Sequence, residues 1–143
     1  MNQEPYILFL CRGNVARSVF AEYLFNKNSK LIKAVSAGTK FEGGSKSLDE
    51  LFSRPHLIFD MMEEEGIDVT NHTRRLITPE MVANAYMVVD MAEPETVPAF
   101  VTSHPRHIVW TIDDPKGKSL EEYIRIKGEI KEKVLELLND NNW

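Results

Sequence analysis

Eight consecutive residues, Cys11-Arg12-Gly13-Asn14-Val15-Ala16-Arg17-Ser18, combine a thiol, a guanidinium and a tight turn at a spacing suited to nucleophilic chemistry on an oxyanion. Cys11 is the chain's one cysteine, so no internal disulfide competes for it. The apolar run at 6–10 precedes this stretch and a helix-like pattern at 18–27 follows it. A loop between a strand and a helix points successive backbone N–H groups into one concavity. Such a nest binds an oxyanion and stabilises a thiolate.

Each residue type has a part in that chemistry. Cys11 reads as the nucleophile, since a helix N-terminus and nearby cations favour the thiolate. Arg17 reads as the clamp that holds two oxygens of a phosphoryl group and spreads the charge of the transition state. Gly13 turns the backbone where a side chain would block the anion. Asn14 tolerates a left-handed conformation and ties the loop with its amide. Ser18 can donate to the Cys11 sulfur and can cap the helix that opens there. Arg12, Val15 and Ala16 complete the lining. A bare Cys-x5-Arg is a weak signal; the preceding strand, the internal Gly-Asn and the closing Arg-Ser make it specific. The commoner fate of a lone cysteine, as a small buried hydrophobe, leaves Gly13, Asn14, Arg17 and Ser18 without a purpose.

The elements that must position these residues alternate along the chain. Apolar runs at 6–10, 31–36, 86–91 and 107–112 suit strands covered on both faces, the second stopped by Gly38. Helical patterns lie between them. Residues 40–55 are polar, with a short helix possible around Leu48, Leu51 and Phe52. Pro55 opens the next helix, which buries Leu57, Ile58, Met61 and Met62 and ends at Gly66. Thr78-Pro79 gives an N-cap and a first-turn proline for a short helix to about Ala85. Ser119 and Glu122 form a capping box for a last helix with Leu120, Tyr123, Ile124, Ile130, Val134, Leu137 and Leu138 along one side. Glu63-Glu64-Glu65 reads as a solvated face, and Trp143 with its asparagines as a frayed end.

Strands alternating with helices predict a single α/β domain. Its four-stranded parallel sheet has helices on both faces and a phosphate-binding loop after the first strand. Ligands in such sheets sit beyond the carboxyl ends of the strands. Cys11 ends the first strand, and Asp113 and Asp114 follow the fourth. A nucleophile and an acid therefore meet on one rim, although Asp-Pro is also an ordinary turn.

The 143 residues fit one domain, and 43% hydrophobic with 27% charged residues is ordinary globular composition. A net charge of −5 without a basic stripe argues against a nucleic-acid partner. No signal peptide or membrane span is visible, and a free thiol suits a reducing compartment, so a cytoplasmic location is expected. His56, His104 and His107 lack metal-ligand spacing, and no Gly-Lys-Ser/Thr nucleotide loop exists, so neither metal nor cofactor is expected. His72 could support the loop region, although a satisfied structural histidine is the commoner role.

The loop resembles that of the low-molecular-weight protein tyrosine phosphatase family, with its related arsenate reductases and protein arginine phosphatases. The resemblance continues through Ser36-Ala37-Gly38-Thr39, through the segment from Glu65 to Arg74, and into Asp114-Pro115. It implies that Asp114 is the general acid, that Asp113 faces solvent or braces the loop, and that Phe41 walls the cleft. The family's tyrosine phosphatases carry an aromatic after Asp-Pro; Lys116 stands there. Many members carry a second cysteine in the loop; Ala16 stands there, so Cys11 has no intramolecular protection. Thioredoxin-coupled arsenate reduction needs two further cysteines, which are absent, whereas reduction through an external thiol needs Cys11 alone. Arginine phosphatases of the family carry threonine where Val15 stands. The expected partners are a phosphorylated protein or a small aryl phosphate, with phosphate or another oxyanion in the loop, on a monomer or weak homodimer. A noncatalytic phosphate- or phosphoprotein-binding module is the rival from another class.

Overall fold

The computed structural model describes residues 4–52 and 56–143. The first apolar run forms β1 (Tyr6–Cys11), followed by α1 (Arg17–Asn28) and β2 (Lys33–Gly38). Two short helices come next, α2 (Leu48–Leu51) and α3 (Leu57–Glu63). After them come α4 (Pro79–Asn84), β3 (Met87–Asp90), α5 (Ala99–Thr102), β4 (His107–Val109) and the long α6 (Leu120–Asn141). The pairings between these strands are parallel and the strand order is β2-β1-β3-β4. The chain leaves β1 to one side for β2 and returns to the other side for β3. The crevice where the order reverses therefore opens at the end of β1, where Cys11 sits.

β1 is the spine of the core because both of its faces are covered. Ile7, Phe9 and Cys11 point into the larger apolar cluster with Val19, Phe20, Leu24, Ile126 and Ile130 of α1 and α6. Leu8 and Leu10 point the other way, against Val82, Ala85 and Val101 from the α4–α5 side. Ile7 to Leu10 are fully buried. Burial of each such side chain stabilises the fold by about 1.5–3 kcal/mol.

Several boundaries depart from the sequence reading, each for a local reason. β2 runs two residues later than expected and includes Gly38, which pairs with Cys11. A Cβ on Gly38 would lie 2.7 Å from the Arg12 carbonyl oxygen and 2.8 Å from the Phe41 ring, so the glycine that ends β2 also allows a close approach there. β4 stops at Val109 because, after Trp110 N–H donates to the Asp90 carbonyl at 3.0 Å, the chain leaves the sheet. Pro55, expected to open a helix, lies outside the described residues. α3 begins at Leu57, with His56 Nδ1 accepting from Ile58 N–H at 3.2 Å, and Gly66 follows it at φ +75°. The caps of α2 (Ser47, a full capping box with Glu50) and α4 (Thr78) form side-chain hydrogen bonds to the backbone.

Four expectations are corrected, three in the C-terminal half and one at the end of α3. The buried stripe of α6 is Tyr123, Ile126, Lys127, Ile130, Val134 and Leu138, while Leu120 and Ile124 are each 49% exposed. Leu120 and Ile124 lie one step off that stripe, so their apolar character misleads. Ser119 caps α6, but Glu122 turns to Arg125 instead of closing the box. The acidic run is not simply solvated: Lys127, buried in α6, reaches Glu64 and Glu65 at 3.2 Å each. Trp143 is not frayed, because Asn142 takes a left-handed turn that brings the indole edge-on to Phe25 and Tyr86.

Candidate active site

The segment after β1 lines a cleft of about 630 Å³ with Cys11, Arg12, Gly13, Val15, Ala16 and Arg17. Among the described residues, the backbone N–H groups of Gly13, Asn14, Val15, Ala16 and Arg17 donate to no protein acceptor. Helix α1 thus begins with its orphan donors uncapped, and Ala16 offers no side-chain cap. Ser18 is not the cap the sequence suggests. It lies inside α1, and its hydroxyl sits 3.0 Å from Cys11 Sγ. Because Asn14 Nδ2 donates to Ser18 Oγ at 2.8 Å, the Ser18 hydrogen is left to point at the sulfur.

Arg17 is 2% exposed and held from behind. Nη1 and Nη2 each donate to one Glu93 oxygen at 2.9 Å, and Nη1 also meets the carbonyls of Met91 at 2.7 Å and Ile112 at 3.2 Å. This uses up Nη1. The edge left for a ligand is Nε and the second Nη2 hydrogen. Burial works against the charge, and Glu93, Cys11 and Asp114 more than offset it, so the guanidinium is held cationic.

Asn14 is fully buried in the left-handed region at φ +53°. Its Nδ2 also donates to Ser36 Oγ at 2.9 Å, and Ser36 donates to Glu22 at 2.6 Å. Its Oδ1 accepts from Arg75 N–H and meets His72 Nε2, each at 3.1 Å. The Arg75 donor fixes which amide atom is oxygen, so His72 carries its proton on Nε2. Tyr23, whose hydroxyl burial keeps protonated by pushing its pKa up to about 12, donates to Nδ1 at 3.1 Å. Burial first, and then the charge of Arg75, pull the His72 pKa down from 6.5 to about 4. Between those values the unfolded chain binds a proton that the folded chain refuses, so stability rises with pH across that window. The full difference is about 3 kcal/mol, absent below pH 4 and complete above 6.5. Denaturant unfolding at pH 7 and pH 4.5 is expected to show most of that loss in the wild type and little in His72→Gln. Equal losses in both proteins would refute the assignment to His72.

Asp114 lines the same cleft, partly exposed, with Oδ2 3.7 Å from Arg17 Nη2 and Oδ1 accepting from Lys116 N–H at 3.0 Å. Asp113 turns outward to Arg125 at 3.0 Å and braces the loop. The outer walls are aromatic. Phe41, Tyr123 and Phe52 line the cleft, with Phe52 stacked on His56 at 3.8 Å between centroids. Among the described residues no cluster of His, Cys, Asp or Glu has the makings of a metal centre, and no helix is long and apolar enough to cross a membrane.

The family model for low molecular weight phosphotyrosine protein phosphatases matches residues 6–142. The chain belongs to that family. It is 32% identical over 140 residues to an arsenate reductase of Bacillus cereus (strain 03BB102), covering 94% of each chain. Its fold is similar to that of a low molecular weight protein tyrosine phosphatase from T. tengcongensis, with a TM-score of 0.78 and 25% identity over 96% of this chain and 99% of that one. It is also similar to an arsenate reductase from Archaeoglobus fulgidus DSM 4304, with a TM-score of 0.72 and 27% identity over 93% of this chain and 98% of that one.

In this member of the low molecular weight phosphatase family, the structure gathers around one cleft residues that sequence reasoning left apart. Glu93 was missed as the partner of Arg17. It lies three residues past β3, so the rim argument that found Asp114 also reaches it. Arg74, Tyr123, Phe52 and His56 were missed as cleft residues. No spacing signal marks them, because loops and helix faces distant in sequence deliver them.

Proposed function

We propose that this chain hydrolyses aryl phosphomonoesters, phosphotyrosine foremost, through a cysteinyl-phosphate. The observation that carries the reading is a single aromatic-walled cleft lined by Cys11, Arg17 and Asp114. The Cys11 thiolate attacks phosphorus, the bond to the aryl oxygen breaks, and Asp114 gives that oxygen its proton. Asp114 then takes a proton from the water that attacks phosphorus, and the S–P bond breaks to return thiolate and phosphate. The free N–H donors of residues 13–17 and the exposed edge of Arg17 hold the equatorial oxygens, where charge is greatest. Arg12, Gly13, Val15 and Ala16 shape the cradle, Asn14 and Ser18 hold it from beneath, and Phe41 packs on the phenol ring. The step needs no metal, and the thiolate calls for a reducing compartment, the cytoplasm.

A second reading is favoured by a specific observation: the B. cereus relative and an arsenate reductase of Staphylococcus epidermidis, 34% identical over 134 residues, bear that name. The names of the relatives favour arsenate more than aryl phosphate; the walls of the cleft favour aryl phosphate. In this reading Cys11 forms a thiol–arsenic(V) adduct and an external small thiol attacks the Cys11 sulfur. Arsenic leaves as arsenic(III) with the electron pair, and a mixed disulfide remains on Cys11. The single cysteine leaves no internal relay to do this. Phosphoarginine is disfavoured by Val15.

A panel decides between these readings: phosphotyrosine, phosphoserine and phosphoarginine peptides, and arsenate with a small thiol, assayed in chelator. The expected result is phosphate release fastest from phosphotyrosine by at least tenfold. Arsenite production without ester hydrolysis would replace the main reading by the second. Binding of phosphate without any turnover would make the chain a binding module.

A further inference from the structure

Among the described residues, the buried Arg and Lys side chains follow a rule with one exception. Arg17 is paired with Glu93, and Lys127 with Glu64 and Glu65. Arg74 is 7% exposed and has no carboxylate partner among the described residues. Its Nε donates to the Gly13 carbonyl at 2.9 Å, and its guanidinium lies 3.9 Å over the Phe41 ring centroid. Neither Nη group finds an acceptor among the described residues. A buried guanidinium is ordinarily paired, because desolvation of an uncompensated charge is unfavourable. Burial does weaken its hold on the proton, and the charge that opposes this is that of Cys11.

Arg74 lines the cleft together with Cys11, Phe41 and Asp114. Gly13 ties it to the outer edge of the loop, and Phe41, beneath it, is the cleft wall that a phenol ring would meet. Its surroundings share its sign. Although the chain carries a net charge of −5, the described residues that line its cleft include the cations Arg12, Arg17, Lys40, Arg74 and Lys116 against two carboxylates, Glu42 and Asp114. Arg17 is committed to Glu93 and the cradle, so the field at the mouth belongs to the other four.

We propose that the Arg74–Phe41 stack is a second anion subsite on the leaving-group side of the cleft, selecting aryl phosphates whose leaving group bears a negative charge of its own, such as phosphotyrosine flanked by glutamates. The proposal rests on the reading of the cleft as an aryl phosphate site. Arg74 acts here as a specificity residue: Nε and the ring fix its plane, and its Nη edge presents two donors to a carboxylate.

Binding rather than turnover tests it, so that its outcome is separate from the catalytic reading. Cys11→Ser protein is titrated calorimetrically with two phosphotyrosine peptides, one flanked by glutamates and one by glutamines. At low salt the glutamate peptide is expected to bind about tenfold tighter, or about 1.4 kcal/mol. Adding Arg74→Gln should bring the two affinities within twofold, and adding Arg74→Lys should keep part of the preference. A ratio near one in the Cys11→Ser protein overturns the proposal without need of any Arg74 variant. So does a ratio unchanged by Arg74→Gln, or an equal loss for both peptides, which would place Arg74 on the reacting phosphate instead. If the panel above finds no ester hydrolysis while the affinity ratio behaves as stated, the catalytic reading falls and the subsite stands.

Discussion

Replacing Cys11 with serine is expected to lower turnover of p-nitrophenyl phosphate by about 10⁴-fold or more, the scale on which removal of an enzyme's nucleophile acts. The change is nearly isosteric, so the cradle survives it. Ser18 and the free N–H donors of residues 13–17 stay in place, and phosphate binding should persist. Turnover and binding therefore separate. Asp114→Asn tests the other end of the reaction, with an expected loss of about 10²–10³ in kcat. That loss should be smaller for p-nitrophenyl phosphate than for phenyl phosphate, because nitrophenolate leaves without needing a proton. Undiminished turnover by the serine variant would end the nucleophile assignment. An equal effect of Asp114→Asn on both esters would remove Asp114 as the proton donor.

Asn14→Ala is the second large effect, and its mechanism is structural. The amide meets Ser18, Ser36, His72 and the Arg75 N–H, all buried or half-buried. Alanine leaves these groups without their partner, and it lacks the polar side chain that helps asparagine to hold φ +53°. Each unsatisfied buried group costs about 1–3 kcal/mol and the left-handed conformation about 1–2 kcal/mol. Since the four groups can relax together, a loss of about 3–5 kcal/mol is expected from denaturant unfolding. Loop misplacement should also cost about 10²-fold in kcat/KM. Asn14→Gly removes the hydrogen bonds but not the conformational freedom, and should recover only about 1 kcal/mol of the stability. An alanine variant within 1 kcal/mol of wild type would show that the network does not hold the loop.

Much of the fold was legible because its signals are local. The continuous apolar run of β1 announces a strand buried on both faces, and Thr78-Pro79 and Ser119 announce helix starts. The parallel order of elements puts the end of β1 and the loop after β4 on one rim, so Cys11 and Asp114 could be paired across a hundred residues of sequence. Failures occurred where a local signal had a non-local use. Ser18 looks like a cap but serves the sulfur. Leu120 and Ile124 look like core but lie off the stripe that meets α1.

By itself the sequence determined the chemical identity of the site: a thiol, a guanidinium and a glycine-asparagine turn set between a strand and a helix, with a carboxylate on the same rim. Those properties follow from residue type and short-range spacing. Only the tertiary structure decided that Glu93 occupies the back of Arg17, that Asn14 is the hub of a buried network, and that Arg74 lies on Phe41 with no carboxylate partner among the described residues. The physical reason is that charge pairing and desolvation act over a few ångströms in space, and these partners are brought together from stretches of chain far apart in sequence.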